Sequence, residues 1–343
     1  MMHRHYRKGF HEAYPRIIGD IITNGADIHP RKGESLGATK ELLNYSFSIP
    51  ADKPLCLYSQ RKFSFAFMFL EPVFLFTNQN ANEIAEPLIK YAPNLKSLAL
   101  NEGTGKFDGN YGDRINITNG EYFTKPPKRT NQLIRCYNIL KEDPQTRRAV
   151  VTIHNPLWDK VDGKSKDIPC TLNLQFMIRD NELDCFCQMR SNDIWYGTPH
   201  NVFMFTFLQR AMAGWLGVRV GTYYHRANSI HIYEKHLGKA EEFYADVFMN
   251  KAKVNGDMYG EEDYPRHRNP DTTFARVKEI ITYEQALREG NKPLQKQFQA
   301  KEPYELLLKK LLVQKNKNGV ANSDDLGYDK SATKQEEGNI GST

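Results

Sequence analysis

Seven residue types, spaced along one stretch of a 343-residue chain, could do chemistry together. Cys170 follows Pro169 at the entrance to an alternating apolar run, and Arg190, Ser191 and Asp193 stand where the returning run ends. Asn201 lies in the first turn of a strongly apolar segment, and His231-Ile232-Tyr233 closes the stretch. A cysteine is a nucleophile only as thiolate, which needs a depressed pKa, most cheaply supplied by a nearby cation. Arg190 can be that cation if the two runs form a hairpin, since both residues then sit at its open end. The competing reading of Cys170 is an inert buried thiol.

The other candidates each carry two readings. Arg31, Arg147, Arg148 and Arg190 could converge as a bidentate cradle for a phosphate dianion, or Arg147-Arg148 is a solvated pair at a strand entrance. His231 and Tyr233 share one strand face, which suits donors aimed at neighbouring hydroxyls or a structural pair. Asn201 offers one acceptor and two donors, enough to read the edge of a base, or it serves local backbone groups at a helix start. Glu71, inside the apolar run Phe63 to Phe76, is either buried because it is paired or needed, or faces solvent at a helix end. Cys185 and Cys187 point to one face of a strand, but no second Cys-x-Cys or Cys-x-x-Cys completes a zinc site, so no metal is expected.

The elements that must hold these residues follow from periodicity. Pro15, Ile17, Ile18, Ile21 and Ile22 predict an amphipathic helix over Tyr14 to Thr23. Leu42 to Ile49 alternates as a strand, and Phe63 to Phe76 reads as a buried helix. Asn101 to Gly120 is a long loop by composition. Asn131 to Leu140 predicts a helix and Ala149 to His154 a strand. Leu172 to Ile178 and Leu183 to Gln188 form a hairpin around Arg179 to Glu182. Val202 to Leu216, apolar nearly all round, predicts a core helix. Val218 to Tyr224 and Ser229 to Tyr233 read as two strands. Beyond Asn250, Gly256 to Pro270 looks like an exposed excursion, Thr282 to Arg288 and Pro303 to Val313 like helices, and the residues from Lys315 on like a disordered polar tail.

Composition sets the class. At 40% apolar and 26% charged residues, the chain can fill a sizeable core. The formal charge of +6 is modest and suits a phosphorylated small molecule as well as nucleic acid. No apolar run reaches the length of a membrane span. Five cysteines, an odd number, and a basic start with no apolar signal segment point to reduced thiols in a cytoplasm.

Taken in order, these motifs resemble one family. Pro169-Cys170, then Gln188-Met189-Arg190-Ser191-x-Asp193-x-x-x-Gly197-x-Pro199-x-Asn201, then His231-Ile232-Tyr233, are similar to the thymidylate synthase superfamily, which includes the pyrimidine nucleotide hydroxymethylases. Arg147-Arg148, after Asp143-Pro144, resembles its paired arginines, and Arg31-x-Gly33 its phosphate loop. The resemblance spans Tyr14 to His236. It implies an α/β fold of α+β type in one catalytic domain over residues 1–315, with 250–315 divergent and 316–343 a tail. It further implies a large mixed sheet packed by helices and a homodimer whose arginines are shared across the interface.

The family's roles carry over by position. Cys170 would add to C6 of a pyrimidine nucleoside monophosphate. Arg31, Arg190, Ser191 and the second subunit's Arg147 and Arg148 would hold its phosphate. Asn201 would read the pyrimidine edge, His231 and Tyr233 would bind the sugar hydroxyl, and Asp193 with Gly197 would meet 5,10-methylenetetrahydrofolate, the co-substrate. Glu71 matches the water-organising acid, and Tyr111-Gly112 the loop that assists proton removal from C5. Addition at C6 makes C5 a nucleophile, the folate supplies one carbon, and an exocyclic methylene forms. Hydride then gives thymidylate, and water gives the 5-hydroxymethyl nucleotide.

Departures from the usual pattern bear on that fork. Thr171 stands where a thymidylate synthase has His, Met189 where it has Gln, and Asn228-Ser229 where it has Gly-Asp. The chain also lacks the short apolar C-terminal segment that closes over the folate, and a less sealed site favours water. Asn201 favours dUMP over dCMP, and the product stays open between methyl and hydroxymethyl. The alternatives are a dCMP or CMP hydroxymethylase of the same superfamily, and a catalytically silent homologue that binds nucleotide or RNA.

Overall fold

A computed structural model describes residues 3–29, 37–77, 81–118, 129–156, 158–159, 167–254 and 267–318. Its centre is an eight-stranded mixed sheet. Across it run His3–His5, Thr39–Pro50, Arg219–Tyr233, Glu182–Met189, Thr171–Arg179 and Val150–Thr152. Ala26–Ile28 pairs with Thr39–Pro50, and Asn192–Asp193 with Arg219–Tyr233. Glu182–Met189 lies parallel to Arg219–Tyr233 and antiparallel to Thr171–Arg179, so the sheet is mixed, as expected.

The hairpin forms because Asp180 and Asn181 both take left-handed φ (52° and 60°), the geometry a two-residue turn needs to match strand twist. Buried and half-buried residues alternate along both its strands, and Cys185 and Cys187 share the buried face. Near the open end the register slips by one at Leu172, a bulge beside Cys170.

The segment expected as two strands, Val218 to Tyr224 and Ser229 to Tyr233, is one strand, Arg219–Tyr233. The break suggested by Arg226-Ala227-Asn228 is absorbed on the neighbouring strand. There Asn44 takes φ 53° and accepts from Arg226 Nε at 3.0 Å, so the ladder passes from Ala227–Tyr45 to Ser229–Leu43. Asn101 to Gly120 is likewise not a plain loop. It holds the small ladder Leu100–Asn101 with Lys106–Phe107, the helix Tyr111–Ile115 and the strand Asn116–Thr118. Its asparagines build local structure: Asn110 Oδ1 caps the Gly112 N–H at 3.0 Å, and Asn116 Nδ2 donates to the Gly112 carbonyl at 2.8 Å.

Helix Gly197–Leu216 crosses the sheet and stops at Gly217, φ 68°, in the left-handed conformation common after a helix end. It is buried on nearly every side. Its buried Gln209 is not an error of pattern, because Nε2 donates to the carbonyls of Leu183 (2.8 Å) and Thr222 (3.2 Å) where the parallel strands lose register. Phe203 is fully buried, with the Phe69 ring 4.6 Å away. Phe203→Ala is expected to cost about 3–5 kcal/mol in urea unfolding, since a cavity would open between two helices.

Helix Phe65–Phe74 packs on this central helix, and so does the predicted Asn131 helix, observed as Gln132–Glu142. The predicted first helix is longer, Phe10–Asn24. Two C-terminal helices also exceed expectation: Pro270–Arg288 starts twelve residues before Thr282, and Pro303–Asn318 runs through Lys315. Buried Arg276 ties them together, pairing with Glu305. Residues 256–266 of the expected excursion and 319–343 of the expected tail lie outside the described residues. Among the described residues no helix is long and apolar enough to cross a membrane.

Candidate active site

The hairpin brings Cys170 and Arg190 together. The Arg190 N–H donates to the Cys170 carbonyl at 2.8 Å, and its guanidinium donates to the carbonyls of Pro169 (3.0 Å) and Ile168 (2.9 Å). The cation therefore folds around the chain that leads into the half-buried thiol. The thiol itself is not depressed, contrary to the simplest expectation. Burial pushes it above its ordinary value, Arg190 offsets this in part, and the carboxylates of Asp167 and Asp193 add to the rise.

Other candidates gather around this pair. Tyr111, at the start of its short helix, shares a 3.0 Å hydrogen bond with Thr171 Oγ1, next to the cysteine. Burial, then the nearby Cys170, raises the Tyr111 hydroxyl well above its usual range. Asp193 pairs with His231 across two parallel strands and accepts the Trp195 N–H at 2.8 Å. Burial raises its carboxyl to about 6. Tyr233 stands edge-on to His231, ring centres 5.0 Å apart, and its hydroxyl is raised first by burial and then by Asp193 and Cys170. Ser191 is half-buried in the link from Arg190 to Asn192.

A cavity of about 600 Å³ opens beside this cluster. Its wall includes Glu71, Tyr196, Gly197, His200, Asn201 and Leu311; Cys170 is not part of it. Glu71 does not face solvent at a helix end. It lines the cavity with Oε2 buried and without a hydrogen-bond partner among the described residues, and burial raises its carboxyl to about 7. Asn201 Oδ1 accepts from Asn192 Nδ2 at 3.0 Å, so the candidate base reader is anchored from behind. The C-terminal helix returns to this cavity, where Gln314 and Lys315 line it beside Leu311. Residues 315–318, expected as the start of a disordered tail, instead complete this helix.

Arg147 and Arg148 do not join the cluster within one chain. Both are exposed, and the register sets Val150 opposite Gln175, five residues along the strand from Cys170, or about 17 Å. Arg31 lies outside the described residues.

The chain's motifs and this geometry agree with a match of residues 12–255 to the family model described as thymidylate synthase. The chain belongs to the thymidylate synthase family. Its relatives include the deoxyuridylate hydroxymethyltransferase of Bacillus phage SP01, 41% identical over 131 residues, 37% of this chain and 34% of that one. A thymidylate synthase of Listeria monocytogenes serotype 4b is 30% identical over 145 residues, 40% of this chain and 43% of that one. The matched segments thus span about a third to two-fifths of those curated relatives. Among solved structures, thermostable thymidylate synthase A from Bacillus subtilis shares the fold at TM-score 0.56 and 21% identity, covering 69% of this chain and 84% of that one.

Several groups at the site were not singled out from sequence. Asp167 accepts the Gly109 N–H at 2.8 Å and acts electrostatically on Cys170. His200 lines the cavity with Nδ1 unpaired among the described residues, and burial lowers it to about 4. Glu41 lies opposite His231 and accepts from Ser229, placing a carboxylate at His231 from the next strand. Nothing in a strand's sequence alone marks such a cross-strand partner.

Proposed function

We propose that the protein transfers one carbon from 5,10-methylenetetrahydrofolate to C5 of a pyrimidine nucleoside monophosphate, dUMP in preference to dCMP or CMP. The observation that carries this reading is the junction of Cys170 with Arg190 at the open end of the hairpin, with Asp193 and Tyr233 in electrostatic reach. The Cys170 thiol gives its proton to water and its sulfur adds to C6 of the ring, so the electron pair of the C5–C6 double bond shifts and negative charge gathers on the C4 oxygen. Asn201 faces that edge with an amide donor. Glu71, with a carboxyl near 7, exists in both protonation states at neutral pH, which suits moving protons through water beside the base. Tyr111 assists removal of the C5 proton from beside Thr171. Arg190 and Ser191 hold the phosphate, and His231 with Tyr233 the sugar hydroxyl.

The cavity fits the pteridine end of the folate. It is large enough, it has an apolar wall, and its unpaired Glu71 and His200 atoms can meet polar ring atoms. When bound there, the folate supplies the one-carbon unit. The exposed Arg147 and Arg148, far along the sheet from Cys170, favour a homodimer in which they serve the second subunit's phosphate site.

Two observations favour the hydroxymethyl product. The phage relative named for deoxyuridylate hydroxymethyl transfer shares more identity over its matched segment than the Listeria synthase does. The C-terminal helix also presents Gln314 and Lys315 to the cavity rather than an apolar closing segment, and a polar wall retains water near the reacting carbon. Incubation with dUMP and methylenetetrahydrofolate, followed by mass analysis of the nucleotide, is expected to show a gain of CH2O. A gain of CH2 assigns thymidylate instead, and unchanged dUMP, dCMP and CMP would remove the proposal.

A further inference from the structure

Behind Asn201, a file of buried polar side chains leads away from the cavity into the sheet. Asn192 Oδ1 accepts from Thr198 Oγ1 (2.7 Å) and lies 2.9 Å from His225 Nε2, while Asn192 Nδ2 reaches Asn201 Oδ1. His225 Nδ1 is 2.9 Å from the Tyr223 hydroxyl, which in turn contacts the Cys187 thiol. Asn192, Thr198, His225, Tyr223 and Cys187 are buried, Asn201 is half-buried at the cavity wall, and the His225 ring is clamped by Phe47, 4.8 Å away and nearly parallel. Buried polar groups must satisfy one another, so this file has only two self-consistent directions.

In one direction Tyr223 donates to Nδ1, Nε2–H donates to Asn192 Oδ1, and Asn192 Nδ2 donates to Asn201 Oδ1. The Asn201 amino group is then left to face the cavity. In the other direction every proton reverses, and Asn201 shows its carbonyl. The phenol–imidazole link decides. A phenol is a far stronger acid than a neutral imidazole N–H, and an imidazole nitrogen is a better acceptor than a phenol oxygen. Burial keeps His225 neutral, lowering it to about 3, so it has one proton to give and one lone pair to offer. The Cys187 thiol, a weak donor and weak acceptor, opposes neither direction.

We propose that Tyr223, His225 and Asn192 are positioning residues that fix which end of the Asn201 amide faces the base, selecting a 4-oxo over a 4-amino pyrimidine. This rests on the reading above that Asn201 contacts a pyrimidine nucleotide. Thr198 steadies the middle of the file from the first turn of the same helix that carries Asn201.

The test uses the full chain and equilibrium binding of dUMP and dCMP, without turnover. The wild type is expected to favour dUMP by roughly 10²-fold or more. Asn192→Asp replaces the inward amide with a group that only accepts, so Asn201 must turn its amino group inward and its carbonyl outward. The dUMP-to-dCMP ratio is then expected to fall at least about tenfold. Tyr223→Phe removes the deciding donor and is expected to lower the ratio about threefold to tenfold. A role in stability alone would weaken both nucleotides alike and leave the ratio unchanged, and an unchanged ratio in a folded variant overturns the proposal. Nitrogen NMR of the wild type adds a reading that needs no variant: the Nε2–H tautomer of His225 is expected, and the Nδ1–H tautomer overturns the relay. A wild type that binds neither nucleotide would instead defeat the pyrimidine reading, while the tautomer still tests the direction of the file.

Discussion

Cys170→Ala is expected to abolish release of tritium from C5-labelled dUMP, by roughly 10⁴-fold or more against the wild type. In the proposed mechanism the label leaves only after C5 has been made nucleophilic by addition at C6, and Cys170 is the cysteine that the hairpin sets beside Arg190. Cys56, Cys136, Cys185 and Cys187 are all buried, whereas Cys170 is half-buried at the mouth of the hairpin. Removing one sulfur from that position should change stability by no more than about 1 kcal/mol. A folded Cys170→Ala variant that still released label would show that the thiol is a bystander.

Glu71→Gln is expected to separate activity from stability. The folded carboxyl sits at about 7 against an ordinary value of 4.5, so the native chain holds this proton more tightly than the unfolded chain does. Between those two values the native state binds more protons, and stability falls as pH rises; above about 7 the full penalty of a buried carboxylate is present. Glutamine resembles the neutral acid and carries no such penalty. The variant should therefore match the wild type near pH 4.5 and exceed it by about 3 kcal/mol at pH 8, read by urea unfolding at both. Label release should drop by about 10²–10³-fold in the same variant, because the cavity loses its group for moving protons. A stability difference that does not change with pH would mean that a hidden cation neutralises Glu71. Such a trade, stability held below its maximum at a working site, is common where a charge is kept unpaired for use.

Much of this arrangement was legible in the sequence because it depends on short-range rules. The Asp180-Asn181 turn and the alternation on either side of it specify the hairpin, and the hairpin brings residues 170 and 190 together. The apolar character of Val202 to Leu216, nearly all round, marks the central helix. The family resemblance supplied what spacing cannot, namely the order of the site along the chain. What escaped reading was set by tertiary contact. The raised carboxyl of Glu71 and the raised thiol of Cys170 follow from burial, which no local pattern reveals. The return of Lys315 to the cavity depends on Arg276 and Glu305 fastening one helix to another. The file behind Asn201 joins residues from a strand pair and a helix start, and only their assembly makes the separate Asn, His and Tyr into a unit.

The two-residue turn at Asp180-Asn181 gives Cys170, the proposed nucleophile, a dependence on a remote surface point. Because strands alternate faces, adding or losing a single residue there would slide one arm past the other and swing the guanidinium of Arg190 to the opposite side. A loop tip is ordinarily where chains tolerate changes in length, but here it works as the spacer of a caliper whose jaws are the thiol and its cation. Drift in this family member is thus constrained about ten residues from the chemistry, at a place with no substrate to guard.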